Sequence, residues 1–286
     1  MTEGFEKYLK TLPVIPEVAV KILSIAEDKL DISFKELEDI IKVDPGLTAK
    51  ILKIANSALY ARQREIKSLQ MAITLLGFNN LKSLVLLVTA SNTFSRFQKD
   101  PFFQHFWKHS ILTAFLARHI AIRSNHKDAA EDCFIAGLLH DIGQVAFCNA
   151  DREQYQPAVT ALLEGNTQVE EIEDRIYGTD HREIGASLLS KWSFPEVYVD
   201  TAREHQSLNI TSAHKASIII VSIGDLVAET IRVGGIDPAS EQLLLDLLER
   251  TDLSQNDLEY YKTSFMADLQ KDLLFLECRS LFGIKD

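Results

Sequence analysis

The sequence predicts an all-α protein in which an N-terminal helical bundle packs on a larger helical region. Apolar residues recur three and four positions apart along nearly the whole chain, which is the spacing of one face of an α-helix. We find no pair of alternating apolar and polar segments flanking a short turn, as a β-hairpin would require. Several helical segments also begin at a capping residue or at proline. These observations predict helices throughout.

Local signals define the first helices. Ser33 and Glu36 form a capping box ahead of "LEDII", because their side chains can bond the free amides of the first turn. Asp44 and Pro45 begin a helix through "GLTAKILKIANS", since proline at the first helical position loses no hydrogen bond. A further segment, "LQMAITLL", ends at Gly77, where a left-handed residue is favoured.

The polar stretch "SRFQKDP" is the predicted subdomain junction, and a long helix, "FFQHFWKHSILTAFLARHIAIRS", follows it. Helical patterns continue through "DAAEDCFIAGLLHDIG", "YQPAVTALLEG", "DHREIGASLLSKW", "PEVYVDTAREHQ" and "SAHKASIIIVSIGDLVAETIR". Two more helices are expected in "PASEQLLLDLLER" and "DLEYYKTSFMADLQKDLLFLECRSLF". We therefore predict an N-terminal subdomain over 1–97, a second helical subdomain over 98–235 and a C-terminal helical extension over 236–286.

Composition limits the function classes. The 286 residues are 46% hydrophobic and 25% charged, as in an ordinary globular protein. A net charge of -11 disfavours binding to nucleic acid or to anionic membranes, and no apolar run reaches the roughly 20 residues of a membrane span. The N-terminus lacks the pattern of a secretory signal peptide. The three cysteines are interpreted as buried thiols in a reducing compartment: Cys133, Cys148 and Cys278. We expect a cytoplasmic protein that binds neither nucleic acid nor membrane.

Histidines and aspartates suggest a metal site, since a transition-metal ion needs several imidazole or carboxylate groups converging on one point. His109 lies within the long helix, and Asp225 lies within the apolar helix "VSIGDLVAE". His140 and Asp141 end the helix "GLLHD". A carboxylate on an apolar helix face is costly unless it is paired or coordinated. Alternatively, Asp225 faces solvent or pairs with Arg232.

Two further histidines enlarge this set. His181 begins the helix "DHREIGASLLSKW" and His205 ends "DTAREHQ"; with a bridging Asp141 they would build a second metal position, about 3.5 to 4 Å from the first. Each has a simpler interpretation. His181 can be a helix-start residue, His205 a cation favoured by the helix dipole, and His140 a hydrogen-bonded structural residue. The remaining histidines are interpreted as structural or surface groups: His105, His119, His126 and His214.

The order of the ligands, histidine at 109, His-Asp at 140 and 141 and aspartate at 225, resembles the metal-binding series of the HD phosphohydrolase superfamily. Six segments are similar to the HDOD domain, the signalling branch related to these enzymes: "LPVIPEVAVKIL", "DPGLTAKILKIANSALY", "AITLLGFNNLKSLVL", "WKHSILTAFLARHIA", "AGLLHDIGQ" and "GTDHREIGASLLSKWSFPE". The resemblance extends roughly from Leu12 to Ala228. It implies an N-terminal helical bundle packed on an HD-like helical subdomain, and a bacterial signal-transduction or regulatory module.

Two departures from the HD-GYP phosphodiesterases argue against cyclic-dinucleotide hydrolysis. Gln144 stands where those enzymes have a lysine, which removes a cation suited to a phosphate oxygen. Gln206 stands where they have a second histidine, and the following "SLNITSAHKAS" contains no "GYP". The ligand set itself persists and would suit one or two iron, manganese, nickel or zinc ions.

Two functions follow. The leading interpretation is a regulatory module that binds a protein partner or small ligand; Tyr60 could anchor such a partner, and the basic run at Arg62, Arg64 and Lys67 could dock an acidic one. The alternative is a metal-dependent phosphohydrolase acting on a nucleotide or phosphodiester. It would need phosphate-binding cations; Lys108, Arg182 and Arg203 lie beside candidate histidines in sequence, but neighbours on a helix point to different faces.

Overall fold

The computed structural model describes residues 17–23, 25, 33–56, 66–93, 99–165 and 169–284. These ranges hold sixteen α-helices and no β-strand, which confirms the predicted all-α class. Four helices form the N-terminal part: α1 (Glu17–Leu23), α2 (Phe34–Lys42), α3 (Pro45–Ala55) and α4 (Leu69–Thr93). Three of the residues proposed to dock a partner, Tyr60, Arg62 and Arg64, lie outside the described residues.

The local signals act as predicted in this part. The Ser33 hydroxyl accepts from the Glu36 amide, and the Glu36 carboxylate accepts from the Ser33 amide at 2.7 Å. The Asp44 carboxylate caps α3, which starts at Pro45. Gly77 has a φ of 74° and ends the first helical arm of α4, as predicted, and a second arm follows it directly. Because L side chains rarely adopt this conformation, glycine suits the break.

Eight helices form the central part. They are α5 (Pro101–Arg123), α6 (Ala130–Leu139), α7 (Ile142–Ala150), α8 (Gln156–Glu164), α9 (Val169–Tyr177), α10 (His181–Lys191), α11 (Glu196–Glu204) and α12 (Lys215–Val233). Helix α5 lies at the centre, packed against α6 and α12. Two glycines permit this closeness, since a Cβ on Gly137 would lie 2.9 Å from the Ala114 Cα and one on Gly224 would lie 3.2 Å from the Ala117 amide.

The C-terminal part contains α13 (Pro238–Leu248), α14 (Gln255–Thr263), α15 (Phe265–Leu269) and α16 (Leu273–Leu281). A continuous cluster of buried apolar side chains extends from Val18 in α1 to Ile284. All three cysteines are buried and free, as predicted. The C-terminal helices therefore pack on the same core as the rest of the described chain.

One apolar stretch has the length of a membrane span. Residues Lys127–Ala150 pass that test by length and composition, but 89% of the most apolar part is buried inside the protein. The two arms of α4 pass it only when they are counted together as one bent span. Burial of this kind is typical of core helices, and the stretch carries His140 and Asp141.

Candidate metal centre

Five of the six predicted ligands line one cavity, and the sixth, His140, lies directly beside two of them, Asp141 and Asp225. The six come from five places in the fold: His109 in α5, His140 and Asp141 between α6 and α7, His181 at the start of α10, His205 at the end of α11 and Asp225 in the middle of α12. All six residues are buried, none more than 8% exposed. Two groups of ligand atoms within 4.8 Å of one another are suited to a metal ion: those of His109, His140 and Asp225, and those of His140, Asp141 and His205.

The α6–α7 junction places its two residues side by side. Helix α6 ends at Leu139, and Asp141 precedes α7 with a φ of -100° and a ψ of 13°, outside helical values. Adjacent residues within a helix project about 100° apart, so both reach one point only where the helix ends. The break between α6 and α7 lets His140 and Asp141 face the same cavity.

The Asp141 carboxylate stands between two pairs of imidazoles. Its Oδ1 atom lies 3.2 Å from the His181 Nε2 atom and 3.4 Å from the His205 Nε2 atom. Its Oδ2 atom lies 3.3 Å from the His140 Nε2 atom and 3.9 Å from the His109 Nε2 atom. Each oxygen therefore faces a different histidine pair, which is the geometry of a bridging ligand.

Asp225 points inward. Its Oδ1 atom lies 2.9 Å from the His109 Nε2 atom and 3.6 Å from the His140 Nε2 atom. The two alternatives for this residue are both wrong: its side chain is buried, and Arg232 bonds instead to Glu229, one turn along α12, with 2.9 Å between Nε and Oε2. The carboxylate is thus held by imidazoles on the cavity side.

Three of the histidines are oriented through their second ring nitrogen. The His140 Nδ1 atom lies 2.8 Å from the Gly137 carbonyl oxygen, and the His205 Nδ1 atom lies 3.0 Å from the Ala202 carbonyl oxygen. A carbonyl only accepts, so in both residues Nδ1 carries a hydrogen, and Nε2 is the ring nitrogen that would bind a metal ion after losing any proton it carries. His181 and His205 do stand at helix ends, as the simpler interpretations had them, and both still face the cavity.

The third histidine, His181, is held by a residue that the sequence analysis missed. Its Nδ1 atom lies 2.6 Å from the Glu173 carboxylate, which also accepts from the His181 amide at 2.8 Å and from the Tyr155 hydroxyl at 2.6 Å. Glu173 is fully buried. The sequence pattern could have identified Glu173 as a buried carboxylate, because Val169, Ile172 and Glu173 fall on one apolar face of α9. Carboxylates that orient metal-binding histidines are common in metalloproteins.

The two glutamines that depart from the phosphodiesterase pattern contact the ligand carboxylates. The Gln144 carboxamide donates to Asp141 Oδ2 at 2.9 Å, and the Gln206 carboxamide donates to Asp225 Oδ2 at 2.7 Å. Gln206 has a φ of 60°, and its amide donates to the Ser222 hydroxyl at 2.8 Å. Both glutamines therefore position carboxylates in this chain.

The electrostatics of the cluster favour a cation. Burial opposes protonation of His140, yet Asp141 and Asp225 raise its pKa to about 10. Burial also opposes protonation of His181, but Glu173 and Asp141 raise its pKa well above the usual value. The pKa values of Asp141 and Asp225 are lowered despite burial, chiefly by His140. Without metal, protons supply the positive charge that the two aspartates require.

The donor set fits a divalent transition metal. The buried His140 Nε2 atom has no hydrogen-bond partner among the described residues, although it lies beside two carboxylates. Imidazole nitrogens with carboxylate oxygens are ligands that zinc, iron, manganese and nickel share. The His109 Nδ1 atom is also unpartnered, with the Glu229 carboxylate 4.0 Å away. A metal ion would satisfy the Nε2 lone pair of His140.

The cavity is small, and among the described residues that line it there is one arginine and no lysine. Its volume is about 70 Å³, and the arginine is Arg232, already bonded to Glu229. His105, interpreted from sequence as structural or surface, also lines the cavity; burial lowers its pKa to about 3, so it is neutral.

The three cations that neighbour candidate histidines in sequence, Lys108, Arg182 and Arg203, do not line this cavity. The Arg182 guanidinium bonds Asp180 at 2.7 Å, and the Arg203 guanidinium lies 3.4 Å from Asp200. Lys108 borders a different cavity. As the helical geometry requires, each points away from the histidine that it follows or precedes in sequence.

Comparison with known families agrees with this architecture. The family model of the HDOD domain matches residues 12–208. The chain belongs to the HDOD domain family. Helix α12 with Asp225 and the C-terminal helices lie beyond the matched residues of the HDOD model.

Individual relatives of this HDOD protein are distant. An uncharacterised protein of Treponema pallidum is 26% identical over 237 residues, which are 82% of this chain and 45% of that protein. The chain thus spans less than half the length of this curated relative. A Shewanella amazonensis structure, provisionally named a phosphohydrolase, is 20% identical with a TM-score of 0.72 over 98% of both chains. A Marinobacter aquaeolei structure, provisionally named a signal transduction protein, is 18% identical with a TM-score of 0.72 over 99% of this chain and 62% of its own. At these identities the two structures establish the shared fold alone.

Proposed function

We propose that this HDOD protein is a regulatory signal-transduction module whose HD-like half holds one or two divalent metal ions and which acts on a protein partner or small ligand. The observation that carries the proposal is the pair of glutamine contacts at the centre. Gln144 and Gln206 stand where the phosphodiesterases have a lysine and a histidine, and both donate to ligand carboxylates. The residues that would act on a phosphate are thus replaced by residues that hold the ligands in place.

Two positions would take the ions. His109, His140, Asp141 and Asp225 would hold one, and His181, His205 and the second oxygen of Asp141 would hold the other. Two ions there would together join the five elements that supply the ligands, and each would polarise an oxygen ligand. Because the ligands come from elements that are far apart in sequence, metal binding would change the stability of the central part.

A metal-dependent phosphohydrolase is the second candidate. It is favoured by the bridging position of Asp141, because two-metal hydrolytic sites share a bridging oxygen ligand. The name of the Shewanella amazonensis relative points the same way. The scarcity of cations at the cavity argues against a phosphohydrolase. A phosphoryl group needs positive charge around its oxygens, and Arg232 is already paired with Glu229.

Metal content and turnover distinguish these functions. We would purify the protein without added metal, measure its iron, manganese, nickel and zinc, and assay phosphodiester and nucleotide substrates after loading each ion. A regulatory centre predicts bound metal without turnover; metal-dependent turnover would establish the phosphohydrolase. His140→Ala should lose metal and lower the melting temperature, whereas His126→Ala, an exposed histidine, should do neither. An unchanged metal content in His140→Ala would refute the coordination role.

A further inference from the structure

A second cavity lies beside α5, between this helix and the C-terminal helices α15 and α16. Its volume is about 190 Å³, larger than that of the metal cavity. Five apolar side chains line it: Ile111, Leu112, Met266, Phe275 and Ile284. Apolar cavities of about 150 Å³ hold a benzene molecule, so this one has room for an apolar body of about six carbon atoms.

The polar lining of this cavity has one sign of charge. Lys108, Gln270 and Arg279 complete it, and none of the described residues that line it is acidic. Lys108 is exposed and forms no ion pair with any described residue, while the Arg279 guanidinium lies over the Phe275 ring at 5.8 Å from its centre. The whole protein has a net charge of -11, whereas the two charged side chains beside this apolar cavity are both positive.

We propose that this cavity binds a small monocarboxylate with an apolar body of about six carbon atoms. Its carboxylate would pair with the exposed Lys108 ammonium, with the Arg279 guanidinium nearby on the cavity wall, and its body would contact the Ile111, Leu112 and Phe275 side chains. An apolar pocket with a few convergent polar groups is the usual form of a small-molecule site. This site includes none of the candidate metal ligands, so ligand binding here is independent of the proposed function.

The position of the cavity connects it to the rest of the protein. Ile111 and Leu112 lie two and three residues after His109 on α5, so a bound ligand would contact the helix that carries a candidate metal ligand. The opposite wall comes from α15, α16 and Ile284, all beyond the residues matched by the HDOD model. The site would thus lie between α5, within the residues matched by the HDOD model, and the helices beyond them.

Calorimetric titration of the full chain with benzoate and with hexanoate tests the proposal. We expect saturable binding by at least one of them with a Kd of about 1 mM or below, which is within reach of a ligand of about nine non-hydrogen atoms. Benzyl alcohol and acetate, which lack the charge or the apolar body, should bind at least about tenfold more weakly.

Variants locate the binding. Lys108→Glu and Arg279→Glu should each weaken binding about tenfold or more, and Lys127→Glu, with the same charge change at an exposed site elsewhere, should leave it unchanged. Leu112→Trp should fill the cavity and abolish binding; Lys108→Glu keeps the test valid if that variant does not fold. Absence of saturable binding by both acids, or equal binding by Lys108→Glu and the parent, would overturn the proposal. Metal content should be the same in the parent and Lys108→Glu.

Discussion

At the scale of single residues, the orientation of His181 depends on Glu173. The Glu173 carboxylate accepts from two His181 N–H groups through one oxygen and from the Tyr155 hydroxyl through the other. Glu173→Gln replaces one of these acceptor oxygens with an NH2 donor and removes the negative charge, so one of the two sides loses its acceptor. We expect metal affinity to fall about 10- to 100-fold, as it does when a residue that orients a metal ligand is lost. Competition with a chromophoric chelator measures this affinity. Glu171→Gln, an exposed change on the same helix, is the control, and equal affinities in both variants would contradict the role of Glu173.

The titration of His140 makes both stability and metal binding depend on pH. Its pKa is about 10 in the folded metal-free protein against 6.5 in the unfolded chain, so its stabilising contribution is complete below about 6.5 and is lost as the pH rises towards 10. Metal must displace this proton, so metal affinity should rise over the same interval. Melting temperatures from pH 6.5 to 9.5 should fall for the metal-free protein, while the increase caused by metal should grow. A metal-induced increase that shrinks with pH would contradict this assignment.

At the scale of helices, the crossing of α7 and α10 sets the position of His181. A Cβ on Gly143 would clash with the His181 carbonyl group, with 2.7 Å to its carbon, and would lie 2.8 Å from the Gly185 amide nitrogen. Both neighbours are backbone atoms, so the helices must separate to admit it. Glycine at this crossing is therefore required for the approach of α10 to Asp141.

Gly143→Ala should consequently lower the free energy of unfolding by about 1 to 3 kcal/mol or more and weaken metal binding, because His181 moves with α10. Urea denaturation and metal titration measure the two effects. Gly46→Ala is the matched control, since its Cβ would meet only the Asp44 side chain at 3.3 Å. Equal stabilities of the two variants would show that the crossing tolerates a side chain.

At the scale of the whole molecule, a polar contact joins the N-terminal helices to the central part. The Glu131 carboxylate in α6 accepts from the Arg118 guanidinium of α5 at 2.8 Å and from the Ser83 hydroxyl of α4 at 2.8 Å. Arg118 also donates to the Asn80 carboxamide of α4 at 3.1 Å. Glu131 is largely buried, so both contacts lie in a region of reduced solvent screening.

Glu131→Ala should therefore lower the free energy of unfolding by about 1.5 to 3 kcal/mol, the usual worth of hydrogen bonds to a charged group. Urea denaturation followed by circular dichroism measures this loss. Asp128→Ala removes an exposed carboxylate three residues earlier and should change stability little. Equal effects of the two changes would mean that Glu131 adds nothing to the joint between α4 and the central helices.

Sequence alone determined the helices and the types of residue at the centre. Caps such as Ser33 with Glu36 and starts such as Pro45 depend on neighbours within one turn, so local pattern was enough for them. Histidines and aspartates placed within or at the ends of helices supplied the ligand candidates, and their order led to the HDOD resemblance, which the family match confirms.

Only the tertiary structure decided which way those side chains face. That Asp225 meets His109 instead of Arg232, that the two oxygens of Asp141 face different histidine pairs, and that Glu173 holds His181 all depend on how helices far apart in sequence pack together. Helical periodicity assigns a residue to a face of its own helix, but the partner of that face is set by packing across the core. The metal centre is built from five such faces, so its geometry could not be read from any one of them.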